Sequence, residues 1–145
     1  MEKLNLKKHD TYKIEVNDNG DYIEFDLVDI SLPLKVLEAS KKISEIDKRF
    51  IEELEILKKT YPDKTDYMCQ EKELELKKCQ EMRIEFDKFL GNDACKKIFG
   101  DKNYYGMFGE LFDALEPHFK KMNIDIKKSK KVLAEKYLSE EKDVI

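Results

Sequence analysis

The sequence predicts a mainly α-helical fold, in which an N-terminal β-hairpin precedes a long antiparallel helical pair and shorter C-terminal helices. Three observations carry this prediction. Polar and apolar residues alternate over 11–28, and apolar residues recur at three- and four-residue spacing after residue 33. The 145 residues also include only 5 Gly and 3 Pro, so the chain has few turn positions and its elements must be long.

The hairpin is predicted over 11–28. Apolar residues alternate in two segments, 11–16 and 21–28, and Asn19-Gly20 lies between them. An Asn-Gly pair supplies the positive φ angles of a tight hairpin turn. Because an isolated two-stranded hairpin is marginal in water, its apolar face should dock on the helices or pair with a neighbouring chain.

A first long helix is predicted at about 33–61, with Asp29 or Ser31 as its cap and Pro33 in its first turn. Its apolar stripe consists of Leu37, Ile43, Ile46, Phe50, Leu54, Leu57 and Tyr61. Pro62 should end it, because proline disfavours helix at the preceding residue and cannot continue the hydrogen-bond ladder.

A second long helix is predicted over 65–90 and should end at Gly91, which suits a positive-φ C-cap. Its stripe consists of Met68, Leu76, Cys79, Met82 or Arg83, Phe86, Phe89 and Leu90. Two long helices with a short joint pack antiparallel. This pair should form the body of the protein.

Two shorter helices are predicted at 93–99 and 104–122, the second kinked or split near Glu116 by Pro117. Residues 1–123 are interpreted as a single domain. Residues 124–145 are interpreted as a basic tail that is weakly ordered, or helical around 132–138. From Lys120 to the last residue, eight lysines stand against five acids, although the whole chain carries a net charge of -4.

The overall charge and the cysteines exclude several classes of protein. An acidic chain with a pI near 5.4 is not expected to bind nucleic acid, which requires a concentrated basic surface. No apolar run approaches the roughly 18 residues of a membrane span, so no membrane partner is expected. Three cysteines without a CxxC pair indicate a reducing cytoplasm.

The candidate chemical residues assemble no recognisable site. His9 and His118 are far apart in sequence and have no second ligand at helical spacing. Cys69 and Cys79 are about 15 Å apart along one predicted helix, and no histidine is placed near any cysteine. Phosphate-loop patterns are absent. We therefore expect no metal, no cofactor and no catalytic residue, and a protein that is not an enzyme.

The candidate partner-binding residues lie in the C-terminal part of the chain. The aromatic stripe has two interpretations: a lid that completes the core over the helical pair, or a groove that stays partly exposed for a partner. The lysines that follow either form a solvated end or face an acidic helical partner. The candidates are Tyr104, Tyr105, Phe108, Phe112, Phe119, Lys120, Lys121, Lys127 and Lys128.

Three stretches together resemble a known family. They are YIEFDLVD at 22–29 before a long charged helix, FDKFLG at 86–91, and KIFG at 97–100 followed by Asn103 and a helix around Phe112. In their order and spacing they resemble the small tail assembly chaperones encoded in phages and prophages of Firmicutes. The resemblance covers about 20–120, and the long basic tail departs from it.

The resemblance implies a protein that binds the tape measure protein, tail tube subunits or both while a phage tail is built. It implies a location in the cytoplasm of the bacterial host and absence from the finished virion. Self-association through the hairpin edge is a further expectation. The alternative is a structural or adaptor protein of a phage tail-like particle, or another non-enzymatic helical interaction protein.

Overall fold

The computed structural model describes residues 1–124 and confirms the predicted fold class. A two-stranded antiparallel sheet is followed by four helices, two of them long. The elements are β1 (Thr11–Glu15), β2 (Tyr22–Asp26), α1 (Ser31–Thr60), α2 (Lys64–Leu90), α3 (Ala94–Phe99) and α4 (Met107–Lys121). The predicted tail, apart from residue 124, lies outside the described residues. None of the described helices has the length and apolar character that crossing a bilayer requires.

The hairpin turn is longer than the predicted Asn-Gly turn. The Val16 amide bonds to the Asp21 carbonyl at 2.9 Å, so four residues form the loop. The Asn17 carboxamide oxygen accepts from the amides of Asn19, at 2.9 Å, and Asp21, at 3.2 Å. Gly20 has a φ of 84°, whereas Asn19 is not among the residues with positive φ. The Asn17 side chain therefore shapes this turn.

The hairpin docks on the helices, as predicted. Ile23 and Phe25 of β2 are buried, and the Phe25 ring meets the Phe119 ring of α4 edge to face at 5.6 Å. On β1, the Tyr12 hydroxyl lies 2.7 Å from His118 Nδ1. These contacts join the two ends of the described chain.

Helix α1 begins earlier than predicted, and its buried face matches the predicted stripe from Ile43 to Leu54 but differs at its start. The Asp29 carboxylate accepts from the Ser31 amide at 2.9 Å, which satisfies an otherwise unpaired amide at the helix start. The buried face consists of Leu32, Val36, Ala39, Ile43, Ile46, Asp47, Phe50 and Leu54. The prediction that Leu37 belongs to this face is wrong, because the line starts at Leu32 and passes through Val36.

Helix α2 runs antiparallel to α1, since Glu53 near the end of α1 pairs with Lys78 in the middle of α2. The Asp63 carboxylate caps its start by accepting from the Asp66 amide at 3.1 Å. Its buried residues are Glu75, Lys78, Cys79, Met82, Phe86, Phe89 and Leu90. Met68 and Leu76 were predicted to be buried and are exposed. Leu76 lies one position off the buried line, and Met68 precedes the buried part of the helix.

The last helix is continuous, so of the two predicted effects of Pro117, a kink or a split near Glu116, the split is wrong. Helix α4 contains Pro117 and ends at Lys121. A proline removes only its own N–H donor, and beyond it the Met122 amide bonds to the His118 carbonyl at 3.2 Å. The fully buried Phe119 anchors this last turn in the core. Residues 104–106, predicted to be helical, form a turn before the helix.

An aromatic cluster centred on Phe86 joins helices α2 and α4. The centroid of its ring lies 5.6 Å from that of Phe89 in α2. In α4, the ring centroids of Phe108 and Phe112 lie at 5.3 Å and 5.0 Å. Such contacts add about 0.5–1.5 kcal/mol per pair beyond the effect of burial. The core therefore consists largely of residues from α1, α2 and α4.

Candidate functional site

The structure places most of the candidate aromatic residues in the core. Tyr105, Phe108, Phe112 and Phe119 are all buried, whereas Tyr104 is 39% exposed. Of the two interpretations of this stripe, the lid over the helical pair describes the structure. An exposed groove formed by these four rings is not present in the described residues, because the rings complete the core between α2 and the hairpin.

Tyr105 is held in the core by two carboxylates from different helices. Its hydroxyl donates to Asp47 Oδ1 in α1 at 2.9 Å, and its backbone amide donates to Glu75 Oε2 in α2 at 2.9 Å. Its ring packs against Phe50 with the centroids 4.5 Å apart. Buried polar groups are stable only when they are hydrogen-bonded, so this arrangement explains a Tyr between polar residues inside an apolar core.

The remaining candidates lie at the surface or beyond the described part. Lys120 and Lys121 are exposed at the end of α4, and Lys127 and Lys128 lie outside the described residues. The Tyr104 hydroxyl donates to Glu110, and this hydrogen bond raises the pKa of the Tyr104 phenol. Tyr104 is thus a surface residue with its polar end already paired.

A candidate surface that sequence reasoning missed lies on the solvent side of α1. Ile30 is 84% exposed, Leu34 64% and Leu37 57%. They stand at positions i, i+4 and i+7, which places them on one face of the helix. Leu27 and Val28, in the turn just before, are also exposed. We call these five residues the outer α1 face.

This face lies opposite the buried one. Ile30 and Leu32 are two positions apart, or about 200° around the helix axis. The start of α1 therefore carries one apolar line toward the core, through Leu32 and Val36, and a second toward solvent, through Leu34 and Leu37. A surface helix ordinarily has a polar outer side, and a helix apolar on two sides is typical of one with two packing partners. The two interleaved lines are visible in the sequence.

Acidic residues accompany the outer α1 face. From Glu24 to Glu38 the chain has four acids and one lysine. Asp29, between Val28 and Ile30, accepts from both the hydroxyl and the amide of Ser31, and these hydrogen bonds lower the pKa of its carboxyl. It is therefore ionised at neutral pH. The start of this surface is therefore acidic, whereas the exposed Lys41, four positions after Leu37, places a positive charge at its other end.

A second apolar surface lies at the other end of the helical pair. An open groove of about 460 Å³ separates the end of α1 from the start of α2. Ile56, Leu57 and Leu74 contribute its apolar part, and charged side chains of Glu53, Glu73 and Lys77 also line it. The charged side chains around this groove are of both signs.

Two of the three cysteines, Cys79 and Cys95, are buried in the core. Burial raises the pKa of the Cys79 thiol to about 12 and raises that of Cys95 further, with nearby Glu75 and Asp87 adding to the respective shifts. Both thiols are therefore neutral at pH 7, whereas Cys69 is exposed. Among residues 1–124, no three His, Cys, Asp or Glu side chains cluster as metal ligands would.

Comparisons of the chain with models of protein families, with curated proteins and with solved structures find no match.

Proposed function

We propose that this protein is a phage or prophage tail assembly chaperone that binds the tape measure protein, tail tube subunits or both during tail morphogenesis. The observation that carries the proposal is the outer α1 face, an apolar surface on a helix whose opposite side is in the core. Such surfaces accept the apolar side of a partner helix. The motif order over about 20–120 is a second, independent support.

The size of the surface suits reversible binding. Its five side chains are 48% to 84% exposed, and complete burial of such a side chain contributes about 1.5–3 kcal/mol. Their combined burial contributes about 5–9 kcal/mol before the costs of association are subtracted. A chaperone must release its client when the tail is complete, so moderate affinity is the useful property. The proposal places the protein in the host cytoplasm and outside the finished virion.

The test is co-expression with a fragment of the tape measure protein encoded beside it. The wild-type chain should co-purify with the fragment and keep more of it soluble. The double variant Leu34→Glu/Leu37→Glu should lose this effect, since it places two carboxylates on the outer α1 face. The matched control is Ile84→Glu, at a 60% exposed position on α2. If the wild-type chain neither co-purifies with nor solubilises the fragment, the proposal fails.

A second candidate is a structural or adaptor protein of a tail-like particle. In the described part of the chain, the sheet has two strands, so neither outer edge carries a third. An open strand edge can extend the sheet of a neighbouring copy, as in a ring. Mass spectrometry of purified particles separates the two candidates. Stoichiometric amounts of the chain in particles favour the structural role, and absence from them favours the chaperone.

A further inference from the structure

We propose that the outer α1 face binds the same face of a second copy of this chain, with the two α1 helices packed antiparallel about a two-fold axis. The contact between copies follows from the described residues, and only its competition with a client rests on the proposed function. In a symmetric pair of this kind, the same surface patch lies on both sides of the interface. The patch must therefore complement itself in shape and in charge.

The apolar line of the face has its centre between Leu34 and Leu37. Ile30 has helical backbone angles, with a φ of -67° and a ψ of -14°, so it continues the line of α1. The exposed Lys41 follows Leu37 by four positions and lies on the same side of the helix. Ile30 and Lys41 are thus equally far from the centre, and about 16.5 Å separate them along the helix axis.

This spacing determines which residues meet in an antiparallel pair. With the two centres aligned, Leu34 of one copy faces Leu37 of the other, and the two-fold axis gives this contact twice. Ile30 of one copy faces Lys41 of the other, whose aliphatic stem covers it while the ammonium stays in water. Helix axes about 8–10 Å apart bring such facing side chains into contact. Four leucines therefore form the middle of the interface.

The two halves of the surface around this line carry opposite net charge. The exposed charged residues of 24–35 are three acids and one lysine, a net charge of -2, whereas those of 36–48 are three lysines and two acids, a net charge of +1. Antiparallel packing places the acidic half of each copy against the basic half of the other. Opposite charges within a Debye length, about 8 Å at physiological ionic strength, attract each other. The charges therefore favour the antiparallel arrangement over the parallel one.

Lys41 is the residue best placed to form an ion pair between the copies. Within residues 1–124, Lys42 pairs with Glu45 at 3.9 Å, whereas no salt bridge holds Lys41. Facing Ile30 of the other copy, Lys41 lies beside that copy's Asp29. Hydrogen bonds from Ser31 lower the pKa of the Asp29 carboxyl, so it is charged at neutral pH. The symmetry provides this ion pair twice.

The size of the patch indicates a reversible dimer. The face contributes five apolar side chains from each copy, whereas a standard stable interface has about 20–30 residues per partner. Such a pair covers an apolar surface that would otherwise promote aggregation, and it dissociates on dilution. A client that uses the same side chains then displaces the second copy.

Sedimentation equilibrium of the full-length chain, at concentrations up to about 1 mM so that weak Kd values are detected, tests the pairing. The average mass should rise with concentration from 17.2 kDa toward twice that value. Leu34→Glu/Leu37→Glu should remain a monomer, because it places like charges from both copies at the middle of the interface. The matched control is Ile84→Glu on α2, at a 60% exposed position, which should dimerise as wild type does.

A charge reversal tests the proposed ion pair. Lys41→Glu should weaken dimerisation at least about fivefold, because the symmetry replaces two attractive contacts by two repulsive ones. Lys96→Glu, at an exposed position on α3, changes the net charge by the same amount and should leave the dimer nearly unchanged.

Disulfide trapping tests the direction of the helices. In a Cys69→Ser background, which removes the exposed native thiol, chains with Ile30→Cys are mixed with chains with Lys41→Cys. Mild oxidation of the mixture should join the two kinds of chain, since cysteines bridge when their Cα atoms come within about 7 Å. Either variant alone should not cross-link, because its two cysteines lie about 16.5 Å apart along the axis.

A monomer at every concentration would overturn the proposal, and so would cross-linking of Ile30→Cys alone. A dimer that persists in Leu34→Glu/Leu37→Glu uses another surface and overturns it as well. Addition of the tape measure fragment should dissociate the dimer. If no dimer forms while Leu34→Glu/Leu37→Glu still abolishes client binding, only this inference falls. If the dimer forms through this face and no client binds, the proposed function falls instead.

Discussion

The Tyr105 hydroxyl donates a 2.9 Å hydrogen bond to Asp47 Oδ1, and both residues are only 1% exposed. The two are 58 positions apart in sequence, so the bond ties the loop before α4 to the middle of α1. The adjacent Tyr104 bonds at the surface to Glu110. Two neighbouring tyrosines thus have opposite environments, which makes them a matched pair for experiment.

We expect Tyr105→Phe to lower the free energy of unfolding by about 1–3 kcal/mol, because it leaves a buried carboxylate without this donor. Tyr104→Phe should change it by about 0.5 kcal/mol or less, as is usual for surface substitutions. Urea denaturation of both variants measures the difference. Equal effects would contradict the placement of Tyr105 in the core.

A second pair of neighbours tests the register of α1. Val36 is 1% exposed and Leu37 57% exposed. Val36→Ala removes buried methyl groups and should cost about 2 kcal/mol, whereas Leu37→Ala should stay within about 0.5 kcal/mol of wild type. Thermal or urea unfolding measures both. A larger cost for Leu37→Ala than for Val36→Ala would mean that α1 is rotated about its axis so that Leu37, and not Val36, faces the core.

The buried ammonium of Lys78 should respond asymmetrically to loss of its partners. It lies 3.3 Å from both Glu53 and Glu81, and its side chain is 3% exposed, whereas theirs are 42% and 34% exposed. Glu53→Gln/Glu81→Gln leaves a buried charge without these carboxylates and should cost about 3–5 kcal/mol. Lys78→Met leaves two carboxylates on partly exposed residues, but it also removes the cation beside the buried Glu81 Oε2, and we expect a smaller cost of about 1–3 kcal/mol. Comparable costs for the two variants would refute this account.

The three thiols should differ in reactivity. In the native protein at pH 8, a thiol reagent should label Cys69 quickly and label Cys79 and Cys95 only through unfolding. In denaturant, all three should react at once. The Cys69→Ser variant is the control and should show no fast phase. A second fast thiol in that variant would place one of the buried cysteines at the surface.

The same burial predicts a loss of stability in alkali. The folded pKa of Cys79 is about 12, against an ordinary value of 9.0. Above pH 9 the unfolded chain releases this proton and the folded chain keeps it, so the free energy of unfolding falls as pH rises. The stabilisation is complete below pH 9 and is lost between about 9 and 12. Urea midpoints from pH 8 to 10.5 should fall more steeply in wild type than in Cys79→Ala.

Periodicity and turn residues predict much of the architecture because they act locally. Pro62 and the acceptor Asp63 mark the joint between α1 and α2, and Gly91 and Gly100 end two helices with φ of 116° and 62°. These effects depend on a few neighbouring residues, so a linear pattern contains them. The continuity of α4 through Pro117 is not a local effect of this kind. It depends on the burial of Phe119, which holds the last turn of the helix in the core.

The candidate surface was harder to predict from the sequence than the fold. The aromatic stripe around Phe108 is the most apolar part of the chain and was a natural candidate for a groove, yet it completes the core. The outer α1 face has fewer apolar residues, and two interleaved lines obscured it. Periodicity predicts that a helix has an apolar side. Where a helix has two apolar sides, periodicity alone does not predict which of them faces the core.

By itself the sequence determined the order, the type and the approximate ends of the hairpin and the helices, because turns, caps and periodicity are local. Only the tertiary structure decided which of two apolar lines on α1 faces the core, and which of two adjacent tyrosines is buried. Those choices depend on residues far away in the sequence, such as the pairing of Tyr105 with Asp47, 58 positions apart, and of Phe25 with Phe119, 94 positions apart. A residue is buried when other residues pack against it, and residues distant in the sequence come together only when the chain folds.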